Sequence, residues 1–126
     1  MGDQYQQIGE AFVKHYYSTF DTNRAGLVSL YQGNSMLSFE GETFMGAEAI
    51  VQKLANLSFQ RVQHQVTTFD VQPVVAAQPN SILVFVSGQL LVDDSTNPIK
   101  FSQTFHLMPK EGGYWVHNDM FRLNYG

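Results

Sequence analysis

Apolar residues recur at helical spacing in the first part of the chain and at strand spacing in the second. Ile8, Ala11, Phe12, His15, Tyr16 and Thr19, closing on Phe20, follow the three/four rhythm of an amphipathic helix over residues 3 to 21. Asp3 and Gln6 stand at capping-box spacing, and Tyr5 lies on the same stripe near the start as a half-buried aromatic. Asp21, Thr22, Asn23 and Arg24 break the pattern, and a short second helix is expected over 25 to 30. Gly33, Asn34 and Ser35 read as a turn. A short strand over 36 to 40 sets Met36, Ser38 and Glu40 on one side and Leu37 and Phe39 on the other, and 43 to 45 returns as its partner. Ala47, Ile50, Val51 and Leu54 then stripe a third helix over 46 to 56.

The rest of the chain reads as four long strands, over 62 to 75 (interrupted at Pro73), 81 to 93, 99 to 108 and 114 to 123. Their short, turn-rich connections favour antiparallel neighbours. Helices first and a meander of strands second is the order of an α+β fold in one domain over 1 to 126, with N-terminal helices on a strongly curved, mostly antiparallel sheet. Strands this long must coil, Gly88 marks a bend or bulge, and such a sheet can leave a hollow beneath the first helix. In the last strand, simple alternation sets Trp115, His117, Asp119, Phe121 and Leu123 on one face. A carboxylate there needs a partner or a cavity to line; His64 is the expected partner and Arg122 the competitor.

Composition narrows the function. The chain has 126 residues, 44% hydrophobic and 13% aromatic, with formal charge −4 and no cysteine. One core fits that length. No Lys/Arg run offers phosphate neutralisation, so nucleic acid is not an expected partner. Disulfides, thiolate zinc sites and thiol catalysis are excluded. Neither a signal-type apolar region nor a run of membrane-spanning length appears, so a soluble, unsecreted protein without membrane insertion is expected. The four histidines have no metal-ligand spacing, phosphate and dinucleotide loops are missing, and no metal or cofactor is expected. Two uses of a hollow remain open. As an enzyme, an isomerase or dehydratase, it would draw its base from Asp119, Glu40 or His64. As a binding site it would take one large apolar anchor beside basic groups: Phe39, Leu57, Val62, Met120 and Phe121 for the lining, Glu40, Asp93 and Asp94 for an acidic rim.

Several segments resemble one family in order and spacing: His15-Tyr-Tyr-Ser-Thr-Phe-Asp21, Leu37-Ser-Phe-Glu-Gly41, Ile50-Val-Gln-Lys-Leu54, Leu57-Ser-Phe-Gln60, Phe101-Ser-Gln-Thr-Phe105 and Asn118-Asp-Met-Phe-Arg-Leu123. The chain resembles the nuclear transport factor 2 family along essentially its whole length. That resemblance implies a cone-like fold and no catalytic activity, although enzymes such as ketosteroid isomerase and scytalone dehydratase share the fold. It implies a carrier of the small GTPase Ran in its GDP form, returning Ran to the nucleus, and a homodimer found in cytoplasm, nucleus and at the nuclear pore. By position, Phe39, Leu57, Val62, Met120 and Phe121 would receive a phenylalanine of Ran, while Glu40 and Asp93 would meet its basic residues. The second acidic rim position of some members falls on Ser95, with Asp94 beside it. Tyr5 would help hold FG-repeat nucleoporins where some members carry Trp, and Phe39 likewise stands where some carry Trp.

Overall fold

The computed structural model describes residues 2–57, 61–75 and 81–124, with the side chains of residues 2 and 3 left out of account. Helix α1 spans Gly2–Thr22, a 3₁₀ turn covers Arg24–Leu30, and strands β1 (Tyr31–Phe39) and β2 (Glu42–Met45) form a hairpin. Helix α2 (Ala47–Ala55) follows, and then β3 (Val62–Val74), β4 (Ser81–Val92), β5 (Ile99–Lys110) and β6 (Gly113–Asn124). These make one six-stranded sheet in the order β2-β1-β6-β5-β4-β3, antiparallel at every step except β1–β6, which is parallel. The expected architecture of helices on a curved, mostly antiparallel sheet is the one observed. Most of the Leu57-Ser-Phe-Gln60 segment, residues 58 to 60, and the turn-rich connection expected before the strand over 81 to 93 fall outside the described residues.

The core lies between α1 and the inner face of β4, β5 and β6, where Tyr16, Tyr17, Phe20, Val84, Val86, Phe101 and Phe105 are buried. Burying each such aromatic contributes roughly 2–3 kcal/mol before entropy is counted. The helix stripe is rotated from the expected one. Val13 and Tyr17 are buried while Ala11 and His15 are exposed, because the sheet grips α1 on the face of positions 13, 16, 17 and 20.

Three irregularities bend the sheet. In β1 the expected turn at residues 33 to 35 is a bulge inside a longer strand: the pairing with β6 shifts between Tyr31 and Met36. Buried Ser35 stabilises it, its Oγ donating to Val116 O and accepting from Gln32 N at 2.8 Å. In β3 the register shifts between Val66 and Thr68, opposite Gly88. A Cβ on Gly88 would stand 2.3 Å from Gln65 O, so only glycine admits the two backbones there. Pro73 does not interrupt β3, because that strand is the sheet edge and needs no outward N–H bond at that point.

The third irregularity redirects the C-terminal strand. Opposite β5, Leu107 pairs with Val116 and His106 with Asn118, leaving His117 as the extra residue. Simple alternation therefore fails across it. Val116 and Asp119 face the core together, and Trp115 and His117 do not share a face with Asp119.

Candidate functional site

Beneath the open end of α1 the coiled sheet leaves an apolar cavity of about 270 Å³, lined by Phe20, Phe39, Leu57, His64, Leu90, Val92, Ile99, Phe121 and Leu123. Its wall is aromatic and ordered. The Phe39 and Phe121 rings stack at 4.8 Å with 9° between planes, and Phe121 stacks on Phe101 at 5.7 Å. Three of the residues expected in the lining, Phe39, Leu57 and Phe121, are there. Met120 lies outside it and is 53% exposed, since strand neighbours of an inward Asp119 and Phe121 must point to the other face. Val62 is buried but faces an adjoining open groove with Asp21, Arg61, Gln63, Leu91, Asp93, Asp94 and Ser95. Sequence reasoning missed Phe20, Leu90, Val92, Ile99 and Leu123, which reach the cavity only once the sheet has coiled.

Two of the three carboxylates expected at a rim, Glu40 and Asp93, occupy unusual backbone positions. The Phe39–Glu42 pair leaves Glu40 and Gly41 as a two-residue hairpin turn with φ of 52° and 90°. Glycine takes that conformation at no steric cost; a glutamate held there costs about 1 kcal/mol or more, sustained by its surroundings. The Glu40 N–H donates to Phe121 O at 3.1 Å, and its carboxylate accepts from the Leu123 N–H. Asp93 also has a positive φ, 50°, in the longer connection just past the end of β4. Its N–H donates to Arg61 O at 2.8 Å and its Oδ1 accepts from Arg61 N at 3.0 Å. Asp94 pairs with the Arg61 guanidinium at 3.1 Å in full solvent, a contact worth little to stability. Ser95 is exposed in the turn, its N–H donating to Val92 O at 3.0 Å.

Asp119, 1% exposed, does not line the cavity. Its Oδ2 accepts from Tyr31 Oη at 2.7 Å and Tyr16 Oη at 3.3 Å, and its Oδ1 accepts from Gln103 Nε2 at 2.8 Å. Tyr17 Oη donates to Gln103 Oε1 at 2.7 Å, extending the network. Burial pushes Asp119 up to about 6, against the opposing pull of Gln103, Tyr31 and Tyr16. Burial also raises all three tyrosines, with Asp119 adding to the effect. The expected partners were wrong. His64 instead places Nδ1 2.6 Å from Asp21 Oδ1, while its backbone N–H donates to Asp21 Oδ2 at 2.9 Å. Arg122 points to the far side of the strand and is exposed. The network ties α1 and β1 to β5 and β6, and its carboxylate is not among the residues that line the cavity. Tyr5 is half-buried against the edge of the core near the start of α1.

Known proteins agree with this geometry. The family model described as Nuclear transport factor 2 (NTF2) domain matches residues 8–123. Nuclear transport factor 2 of Oryza sativa subsp. japonica is 54% identical over 119 residues, covering 94% of this chain and 96% of that protein. Nuclear transport factor 2 of Saccharomyces cerevisiae is 48% identical over 126 residues, covering 99% and 98%. The solved structure of nuclear transport factor 2 from Cryptosporidium parvum superimposes with a TM-score of 0.88 at 49% identity, covering 96% of this chain and 95% of that one. With the fold, the cavity and this likeness in agreement, the chain belongs to the nuclear transport factor 2 family and is a nuclear transport factor, not an enzyme.

Proposed function

We propose that the protein carries Ran in its GDP form through the nuclear pore as a homodimer, binding FG-repeat nucleoporins on its surface and moving between cytoplasm, pore and nucleus. The observation that supports this reading is the aromatic cavity, with Glu40 bonded through its backbone N–H to Phe121 of the cavity wall and Asp93 in the adjoining groove, each held at positive φ. A phenylalanine anchor seated there gains roughly 2–3 kcal/mol from apolar burial. Carboxylates beside the mouth orient an anchor flanked by Lys or Arg and reject an acidic one. Met120 belongs to the outer sheet face and takes no part in the cavity under this reading.

The dimer rests on that outer face. Phe85 of β4, Thr104 of β5 and Met120 of β6 form one cross-strand row, and Leu83, His106 and Asn118 form the next. Leu83, Phe85 and Met120 are 41%, 42% and 53% exposed, an apolar patch suited to a twofold-related copy.

Calorimetry of Ran-GDP against Glu40→Lys tests the carrier reading. A lysine facing a basic partner costs several kcal/mol, so binding should fall by about a hundredfold or more. Glu40→Gln keeps an acceptor for the Leu123 N–H and isolates the charge; it should weaken binding less. Near wild-type affinity of Glu40→Lys, with the fold intact, would remove the rim from the Ran site.

A further inference from the structure

Among the described residues the cavity holds one polar side chain between apolar walls. His64 lines it with a side chain 2% exposed, between Phe20 at 4.8 Å, Tyr17 at 4.8 Å and Phe101 at 5.4 Å ring to ring. Its Nδ1 is committed to Asp21 at 2.6 Å, with Asp21 held in turn by the His64 backbone N–H. Nε2 has no hydrogen-bond partner among the described residues. A carboxylate on Nδ1 places the ring proton there, so the neutral imidazole presents a lone pair at Nε2. A purely apolar occupant, such as a phenyl side chain, offers that nitrogen no hydrogen bond, a cost comparable to a lost one.

We propose that the cavity is also a binding site for a small phenol, with the ring against the stacked Phe39 and Phe121 and the hydroxyl donating to His64 Nε2. The volume of about 270 Å³ admits a single substituted ring, and the parallel Phe39–Phe121 pair at 9° presents flat apolar surface to it. The hydroxyl suits the histidine in both charge states, donating to the neutral ring and accepting from the imidazolium. A carboxylate ligand has no such latitude: with Asp21 already on Nδ1, it would need the protonated ring. Because phenol and a protein side chain would fill one volume, the phenol competes with any aromatic anchor inserted there. The proposal goes beyond the carrier role and is testable without Ran.

The experiment titrates the full-length protein with 4-fluorophenol and with fluorobenzene, followed by fluorine NMR. The expected result is saturable binding of both, with the phenol about three- to tenfold tighter, the ratio one net hydrogen bond supplies. In His64→Phe the ratio should fall to about one while fluorobenzene still binds, which also reports an intact cavity. If that variant does not fold, the nitrogen chemical shift of His64 Nε2 in the wild type decides: it should move on adding 4-fluorophenol and stay still with fluorobenzene. Equal affinities, no binding of either probe, or an unmoved Nε2 signal overturns the proposal. Phenol binding that leaves Ran-GDP affinity unchanged would uphold this site and instead count against an anchor of Ran in the cavity.

Discussion

Asp119 offers the sharpest quantitative test, because its environment is built from named donors and its titration lies within an accessible range. Its carboxyl sits at about 6 in the folded chain against an ordinary 3.8, with burial the main cause. The folded protein therefore binds this proton more tightly than the unfolded chain does. The associated stability is fully present below about pH 3.8 and is lost as pH rises through about 6. The full effect is on the order of a few kcal/mol. Between about pH 7.5 and about pH 5 the share recovered is on the order of 1 kcal/mol. The perturbation is Asp119→Asn, which removes the titration and nearly keeps the shape. At neutral pH two effects oppose each other: the amide relieves a buried charge, but leaves one of the Tyr31, Tyr16 and Gln103 donors facing an N–H, at about 1–3 kcal/mol. The slope with pH is thus the clean readout. Urea unfolding of both proteins at one fixed concentration, followed by circular dichroism, should show wild type gaining on the order of 1 kcal/mol on the variant as pH falls over that interval. Other titrating groups cancel in the difference. A difference that stays constant, or a wild type that loses ground on acidification, would refute the account of a carboxylate whose burial outweighs its three hydrogen bonds.

Three further outcomes follow from particular contacts. Gly88→Ala should destabilise the protein by about 2–4 kcal/mol in the same unfolding assay, since its Cβ meets the Gln65 carbonyl at 2.3 Å and neither backbone has room to yield; a loss under about 0.5 kcal/mol would mean the β3 bulge relaxes freely. Met120→Glu should convert a species of twice the 14.2 kDa chain mass into one of 14.2 kDa by light scattering while keeping its secondary structure, because it buries a charge in the outer apolar row; an unchanged mass would move the dimer contact elsewhere. Tyr5→Ala should weaken binding of an FG-repeat peptide several-fold and leave Ran-GDP binding unchanged, while a joint loss would make Tyr5 a packing residue.

The sequence alone determined the number, order and type of elements, because each carries its own period: three/four spacing in α1 and α2, alternation and β-branched runs in the strands, Gly and Pro between them. It also placed Phe39, Leu57 and Phe121 in the cavity through family resemblance. Tertiary structure decided what local periodicity does not encode. A single extra residue, His117, reversed which neighbours share a face with Asp119, and bulges are set by the partner strand as much as by the bulged one. Met120 was assigned to the cavity beside Phe121 although consecutive strand residues point apart; the structure enforces that alternation. Asp119 found its partners 16, 88 and 103 positions away, in Gln103, Tyr31 and Tyr16, and Asp21 took the His64 that had been assigned to it. Those pairings depend on how the coiled sheet meets α1, a global packing solution in which every buried donor and acceptor competes for the same few partners.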